Sequence, residues 1–274
     1  MKAFSMDIPP APGNPRNSEG AFIQRKNGSL MFVYSQFVGD SCKDHAAADL
    51  ACIVSNDLGE SWPAPKTLFT AKEHGAMNMM SVSLIRMNNG DIGLFYMLRM
   101  NWHDMRPVLR RSADEGESWS EPVCCVPRLG YMVLNNDRVI RLKSGRILLA
   151  VAQHAMTPGT DGGAFTHPGV VHTFFSDDDG VNWQEGRVPL SLNVSVSESG
   201  LQEPGLMEHE NGTITMWART DLGRQYECLS VDGGESWTPP APSCFTSPCA
   251  PLSMKRLSDG RLFAVWNPIP SYQT

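Results

Sequence analysis

The stretch Ser112-Ala113-Asp114-Glu115-Gly116-Glu117-Ser118-Trp119 decides the fold, because the chain writes it four times. The other copies are Ser55-Asn56-Asp57-Leu58-Gly59-Glu60-Ser61-Trp62, Ser176-Asp177-Asp178-Asp179-Gly180-Val181-Asn182-Trp183 and Ser230-Val231-Asp232-Gly233-Gly234-Glu235-Ser236-Trp237. The shared pattern is Ser-x-Asp-x-Gly-x-(Ser/Asn)-Trp. Ser and Asp oxygens accept hydrogen bonds from a loop's own amides, Gly admits positive φ, and the Trp leaves the turn as a large apolar anchor. A pattern of this length, repeated, describes an architecture rather than a local accident.

Working outward, each copy sits in the same succession: a strand, a Gly-containing hairpin, a second strand, a polar loop, a third strand, the turn, and a fourth strand. In the first unit the strands fall near 20–25, 30–36, 50–55 and 65–69, with Asn27-Gly28 as the hairpin. Asn89-Gly90, Ser144-Gly145, Asn211-Gly212 and Asp259-Gly260 open the later units, so there are five openings against four Asp-containing turns. Four-stranded antiparallel units at this period describe the blades of a β-propeller. A sandwich has no reason to repeat one turn at one place in every unit. Before the first unit, residues 3–8 alternate, with Phe4, Met6 and Ile8 on one face, which predicts a short strand ahead of the Pro-rich linker 9–15.

Strand counting then assigns faces. If each first strand runs from top to bottom, the hairpins and the Asp-containing turns lie at the bottom. The mouth is built from the stretches leading into first strands and from the loops joining second to third strands. These are the charge-bearing segments 15–19, 38–49, 74–81, 99–106, 131–138, 154–167, 197–203 and 219–226.

Composition narrows the classes. At 274 residues the chain is long enough for one large all-β domain or two smaller ones. Its 29 acidic against 23 basic residues, with no basic run, argue against a nucleic-acid partner. The seven cysteines show no Cys-x-x-Cys pair, which predicts free thiols in a reducing compartment. No apolar run suggests a signal peptide or a membrane span, so the expectation is a cytoplasmic protein without a membrane partner. His154, His167 and His172 fall near one loop but lack ligand spacing, and Asp177-Asp178-Asp179-Gly180 lacks the later Glu of a calcium loop. Neither a metal nor another cofactor is expected.

A propeller carrying this turn resembles the sialidase family, in which the motif is called the Asp box or BNR repeat. The resemblance implies an all-β, six-bladed sialidase-type propeller forming a single domain over 1–274. Residues 1–15 would be the N-terminal strand and linker, with blades near 16–72, 73–127, 128–192 and 193–244 and a partial blade at 245–274. The hairpin glycines recur about every 58 residues, so six blades need roughly 350. The chain is therefore expected to stop within the fifth blade, as a fragment, or to close as an irregular five-bladed ring.

Family members hold a substrate carboxylate with three arginines, use an Asp as acid/base, and use a Tyr activated by a Glu as nucleophile. By position, Pro15-Arg16-Asn17-Ser18 supplies the first arginine, although the usual Arg-Ile-Pro is absent. Lys43-Asp44-His45-Ala46 is similar to the string carrying the acid, which makes Asp44 the first choice and Asp40 and Asp49 the reserves. Leu201-Gln202-Glu203-Pro204 matches the Glu, and Trp217-Ala218-Arg219-Thr220 the second arginine. The third arginine and the Tyr are expected beyond residue 274. Arg224 either lines the mouth or makes a strand-end salt bridge, and Tyr131, Asn135, Asn136 and Arg138 are candidates for substrate contact.

The implied substrate is a 2-keto sugar acid. Guanidinium groups bind its carboxylate bidentately, and a Tyr hydroxyl attacks the neighbouring carbon without the repulsion a carboxylate nucleophile meets. The resemblance implies a retaining exo-glycosidase acting on sialylated glycans. A glycosidase for another acidic sugar and a non-catalytic carbohydrate-binding propeller are the alternatives.

Overall fold

The computed structural model describes residues 5–156 and 168–270, and their regular structure is all-β apart from one 3₁₀ turn at Lys72–His74. No helix among them is long and apolar enough to cross a membrane. The first sheet runs β1 (Asn17–Gln24), β2 (Leu30–Phe37), β3 (Ala48–Ser55) and β4 (Lys66–Phe69) in antiparallel order. The second group is β5 (Asn78–Arg86), β6 (Ile92–Asn101), β7 (Asp104–Ser112) and β8 (Val123–Cys124). The third is β9 (Tyr131–Val133), β10 (Ile140–Arg141), β11 (Ile147–His154), β12 (Val170–Ser176) and β13 (Gln184–Glu185). A fourth four-stranded sheet follows, β14 (Gln202–Glu208), β15 (Ile214–Arg219), β16 (Arg224–Ser230) and β17 (Ala241–Thr246), and then the hairpin β18 (Ser253–Arg256) and β19 (Leu262–Val265).

One parallel pairing, Met105 with Tyr131, joins the second and third groups into a nine-stranded sheet. Among the described residues no sheet closes on itself. The short N-terminal strand expected at 3–8 is not formed: residues 5–10 carry no strand, and 3 and 4 lie outside the described residues. Met6 and Ile8 nevertheless pack against Tyr34 and Ile53, so the apolar alternation marks a packing segment without a ladder.

Consecutive groups stack face to face through period-2 apolar positions. Val33 and Leu50 of the first pack with Val82, Leu84 and Tyr96 of the second. Phe95 and Leu109 meet Leu149, Val151 and Phe174 of the third, and Leu148 and Ala150 meet Leu206 and Met216 of the fourth. All seven cysteines are free; Cys125 and Cys228 are buried in this packing.

The eight-residue turns share one pattern of Ser and Asp hydrogen bonds, and in all but the second, where Trp119 Nε1 is buried without a hydrogen-bond partner, the Trp donates back to the Gly carbonyl. In the third, Ser176 Oγ donates to Asp178 Oδ1 (2.8 Å) and accepts from Gly180 N (2.7 Å), Asn182 N donates to Asp178 Oδ1 (2.8 Å), and Trp183 Nε1 donates to Gly180 O (3.1 Å). The second, third and fourth turns are each also held by the unit before. Arg25 Nε donates to Glu115 O (2.6 Å), Arg111 Nη2 to Asp179 O (2.8 Å) and Arg146 Nη1 to Gly233 O (3.2 Å). The variable residue between Asp and Gly has a role in two copies: Glu115 accepts Lys26 N (2.8 Å) and Asp179 accepts Asn88 N (3.0 Å), both from the preceding hairpin. Gly180 has φ +80° and no room for a side chain, since a Cβ there would lie 2.4 Å from Leu109 of the unit before.

These hydrogen bonds depress the turn carboxylates. The hydroxyls and then the amides of Ser61 and Ser118 hold Asp57 and Asp114 down at about 2. The amide and then the side chain of Asn182 do the same for Asp178, also at about 2. At Asp232 burial pulls upward, but the hydroxyl and amide of Ser236 outweigh it and the result is again about 2. A depressed carboxylate stabilises the fold above its unfolded value of about 4, and that stabilisation is lost as pH falls from there through its folded value. Melting temperature should therefore hold between pH 7 and 5 as far as these groups matter, then drop steeply below pH 4. Asp178→Asn should melt lower at pH 7 and show a shallower acid limb; an acid limb as steep as that of the wild type would contradict the assignment.

Candidate functional site

The first residues of β1, β5, β9 and β14 converge with the ends of β6, β11 and β15 and with the loop between β2 and β3 on a cavity of about 500 Å³. Three of the first strands carry a bulge here, between Ser18 and Ala21, Met80 and Ser83, and Gln202 and Gly205. Each bulge holds a non-glycine residue in the left-handed region: Glu19 (φ 57°), Ser81 (φ 59°) and Glu203 (φ 48°). In the third unit Asp137 (φ 57°) takes the same conformation in the break between β9 and β10. The kinks turn Glu19, Ser81 and Glu203 onto the cavity wall.

Of the residues singled out in the sequence, Asp44, Tyr131, Asn135, Glu203 and Arg219 line this cavity. Arg16 stands behind it. Its Nη1 pairs with Asp44, Nε donates to Ser18 Oγ (3.0 Å), Nη2 lies 3.5 Å from Glu19 Oε1, and the guanidinium lies over the Phe37 ring at 4.6 Å. The loop carrying Asp44 is fixed from below by buried Asn78, whose Nδ2 donates to Asp44 O (3.2 Å) and Ala46 O (3.1 Å). The Asp44 side chain itself remains 77% exposed and so is reachable from solvent. Asp40 and Asp49 do not line the cavity; Asp49 instead accepts Ala71 N (2.8 Å).

In the fourth unit Arg219 Nη1 lies 3.1 Å from Glu203 Oε2, while its Nε and Nη2 donate to Gln202 Oε1 at 3.0 and 2.7 Å. His154 sits beside this pair, and burial, reinforced by the Arg219 charge, lowers it to about 4. It is neutral at physiological pH.

Three sequence candidates point elsewhere. Arg224 does not line the cavity; it starts β16 and donates from Nη1 to Ser243 O (3.4 Å), toward the outer strand β17. Asn136 is half-buried outside the lining. Arg138 is buried with its guanidinium 5.5 Å from the Trp217 ring, and it lines a neighbouring cleft beside Lys255 rather than this cavity. Burial lowers it to about 10. In-strand alternation predicted that some of the four candidates in 131–138 point away from the mouth; Asn136 and Arg138 are absent from the cavity wall, but both lie in the irregular stretch between β9 and β10 rather than in a strand. Of the histidines, His172 pairs with Glu185 (2.8 Å), and His167 lies outside the described residues. Among the described residues no cluster of His, Cys, Asp or Glu has the arrangement of a metal site.

Sequence reasoning missed two residues. Glu19 accepts Ser81 Oγ (2.9 Å), and burial pushes its carboxyl up, against the pull of Ser81 and Arg16. Arg99 is 3% exposed and donates from Nη2 to Tyr131 Oη (2.6 Å). Burial raises the Tyr131 hydroxyl, with the Arg99 charge opposing. Aligning the units on each other would have found Arg99, because Leu98-Arg99-Met100 ends its second strand as Ala218-Arg219-Thr220 ends that of the fourth unit.

The repeated boxes and the cavity at the opposite strand ends define an Asp-box protein with a sialidase-like fold. The family model for the BNR repeat-like domain matches residues 28–273, and the chain belongs to that family. No curated protein sequence matches it. Among solved structures, a protein of unknown function from Dyadobacter fermentans is similar over 94% of this chain and 76% of its own, with TM-score 0.73 and 21% identity. A Hadza microbial sialidase is similar over 92% of this chain and 53% of its own, with TM-score 0.70 and 17% identity. The Trypanosoma rangeli sialidase, in its complex with 2,3-difluorosialic acid, is similar over 92% and 43%, with TM-score 0.68 and 17% identity. The chain thus spans about half the length of these two sialidases, and the likeness is one of fold.

A carboxyl whose folded pKa is raised carries a destabilisation that is absent below its unfolded value, about 4.3, and grows as pH rises through and above it. Glu19→Gln keeps a hydrogen-bonding side chain without the charge. It should raise the melting temperature at pH 7.5 and give no gain at pH 4, as read by calorimetry at both values; an equal shift at both would show that the Glu19 charge is not under this strain.

Proposed function

We propose that the protein is a glycosidase of sialidase type on a six-bladed propeller plan, removing a terminal 2-keto sugar acid from a glycan with retention. One observation carries this reading: Asp44 of the first unit and Glu203 and Arg219 of the fourth, nominated separately by short motifs, line one cavity, with Arg16 directly behind. Arg219 and Arg16 supply guanidinium groups for the sugar carboxylate. Asp44, on a fixed loop but exposed, donates a proton to the leaving oxygen and then takes one from the attacking water. Glu203 serves as the base for a tyrosine nucleophile. Tyr131 is not assigned that part, because burial holds its hydroxyl up and its oxygen already accepts from Arg99, where a nucleophile needs its pKa brought down by a base.

A second reading is supported by the ion pairs themselves. Asp44 is bound to Arg16, and Glu203 to Arg219, so both carboxylates are engaged with the same groups that would bind substrate. A carbohydrate-binding propeller without turnover fits that pairing.

Turnover of an aryl sialoside between pH 4 and 7.5 separates the two, and binding of the free sugar acid without turnover would select the second. With turnover, Asp44→Ala should lose about 10²–10⁴-fold in kcat on a natural glycoside and far less on an activated aryl one. Arg219→Ala should act chiefly on KM; an unaltered KM would remove Arg219 from the substrate site. Because His154 is held at about 4, it should contribute no limb near pH 6.5, and His154→Gln should leave the shape of the rate profile between pH 5.5 and 7.5 unchanged.

A further inference from the structure

A second cleft, of about 250 Å³, lies where the first strands of the last three units come together: β10, residues 206–208 of β14 and residues 254–256 of β18. Its wall carries five cationic side chains against the two carboxylates of Asp137 and Glu208, on a chain whose formal charge is −6. Only Lys255 is paired with a carboxylate among the described residues, its Nζ lying 2.8 Å from Asp137 Oδ1. Arg256 donates to the carbonyls of Gly260 (2.8 Å) and Glu208 (3.2 Å), Lys143 to those of His209 (3.4 Å) and Glu210 (2.9 Å), and Arg141 to the side-chain oxygen of Asn88 (2.8 Å). Glu208 spends one oxygen on Lys143 N (2.8 Å).

The fifth cation, Arg138, has no acceptor. It is 6% exposed, its Nε is buried without a hydrogen-bond partner, and Nη1 and Nη2 meet no acceptor among the described residues. With its pKa at about 10 it is charged at neutral pH. Room for it is built into β14: a Cβ on Gly205 would lie 2.6 Å from Arg138 Nη1 and 2.3 Å from the Trp217 ring, so glycine is what lets the guanidinium lie beside that ring. The indole is itself fixed, donating from Nε1 to Leu252 O (2.9 Å). A buried charge without a counter-charge costs stability, and an apolar side chain of similar size would be more stable there.

A carboxylate would satisfy one guanidinium in one plane. Here the cations stand on three strands around a common space, which suits a tetrahedral anion whose oxygens face several directions. A phosphate group also brings about two negative charges at neutral pH, and Arg and Lys are its usual partners. The hairpin β18–β19 pairs with no other strand, so an anion in the cleft would tie it to the third and fourth units.

We propose that this cleft binds a phosphate group, free or as a monoester, with Arg138 at its base and Arg141, Lys143 and Arg256 at its exposed rim. The site is separate from the carbohydrate cavity and does not depend on the glycosidase reading.

The test is calorimetric titration of the protein with inorganic phosphate and with glycerol 3-phosphate, alongside melting curves in phosphate and in sodium chloride of equal ionic strength. The wild type should bind phosphate saturably and melt higher in phosphate than in chloride. Binding of both probes would place the contacts on the phosphate group alone, and binding of phosphate without the ester would make the free ion the ligand. Arg138→Met should lose about tenfold or more in phosphate affinity, lose the melting shift, and without phosphate melt no lower than the wild type. The double variant Arg141→Gln/Arg256→Gln changes exposed side chains only, and should lose about threefold or more. No saturable binding by the wild type overturns the proposal, and so does wild-type affinity in Arg138→Met. If Arg138→Met fails to fold, the double variant decides, and wild-type affinity there overturns it. Phosphate binding lost in Arg219→Ala but kept in Arg138→Met would put the anion in the carbohydrate cavity and overturn it as well.

Discussion

The arginine that each of the first three units places in the turn of the next is the contact on which the arrangement depends. A single Asp-box loop is already rigid, since its Asp and Ser oxygens satisfy its own amides and its Trp folds back on its Gly. Rigidity within a loop does not orient one sheet against another. Arg25, Arg111 and Arg146 do so by donating to the backbone carbonyls of Glu115, Asp179 and Gly233. A carbonyl in a stiff turn is a fixed point, and a guanidinium reaching it sets the spacing between neighbouring sheets. The apolar faces between them can then be filled by interlocking side chains. The cavity at the far ends of the strands inherits that spacing.

The fold was legible because its signal is local and repeated. Ser176, Asp178, Gly180 and Trp183 make their defining contacts within eight residues, so sequence and structure carry the same information there. The positions of Asp44, Glu203 and Arg219 were legible for a related reason: strand counting fixes which end of each strand a residue occupies. Arg99 and Glu19 were not, because their character comes from partners far away in sequence. Whether Arg99 is satisfied depends on Asn78 being one methylene shorter than Gln202 and turned toward Ala46. Glu19 is unusual because of a bulge; Gly20 beside it marks the bulge but not where the Glu19 side chain is sent. Arg138 and Arg224 show the opposite limit, where the correct end of a strand was read but the direction of the side chain was not.

The cavity is also nearly neutral by construction. Two of its carboxylates are matched with arginines, Asp44 with Arg16 and Glu203 with Arg219, and the same contacts that hold these groups in place occupy them. An anion displacing either pair exchanges one partner for another instead of meeting a bare charge, so its affinity there comes from the difference between two ion pairs. A polar ligand with several hydroxyls and one carboxylate suits such an exchange better than an apolar one, since every group it displaces must be replaced by a hydrogen bond of equal quality.

The left-handed kinks at Glu19, Ser81, Asp137 and Glu203 lead to a final point. Four units place a left-handed residue at corresponding positions, and the residue there is Glu in two of them, Ser in a third and Asp in a fourth. The conformation belongs to the scaffold, and the residue on it is free to vary. Three of these positions, Glu19, Ser81 and Glu203, are sockets on the cavity wall, and new specificity can arise by exchanging one side chain in one socket while the neighbouring sheets keep their register.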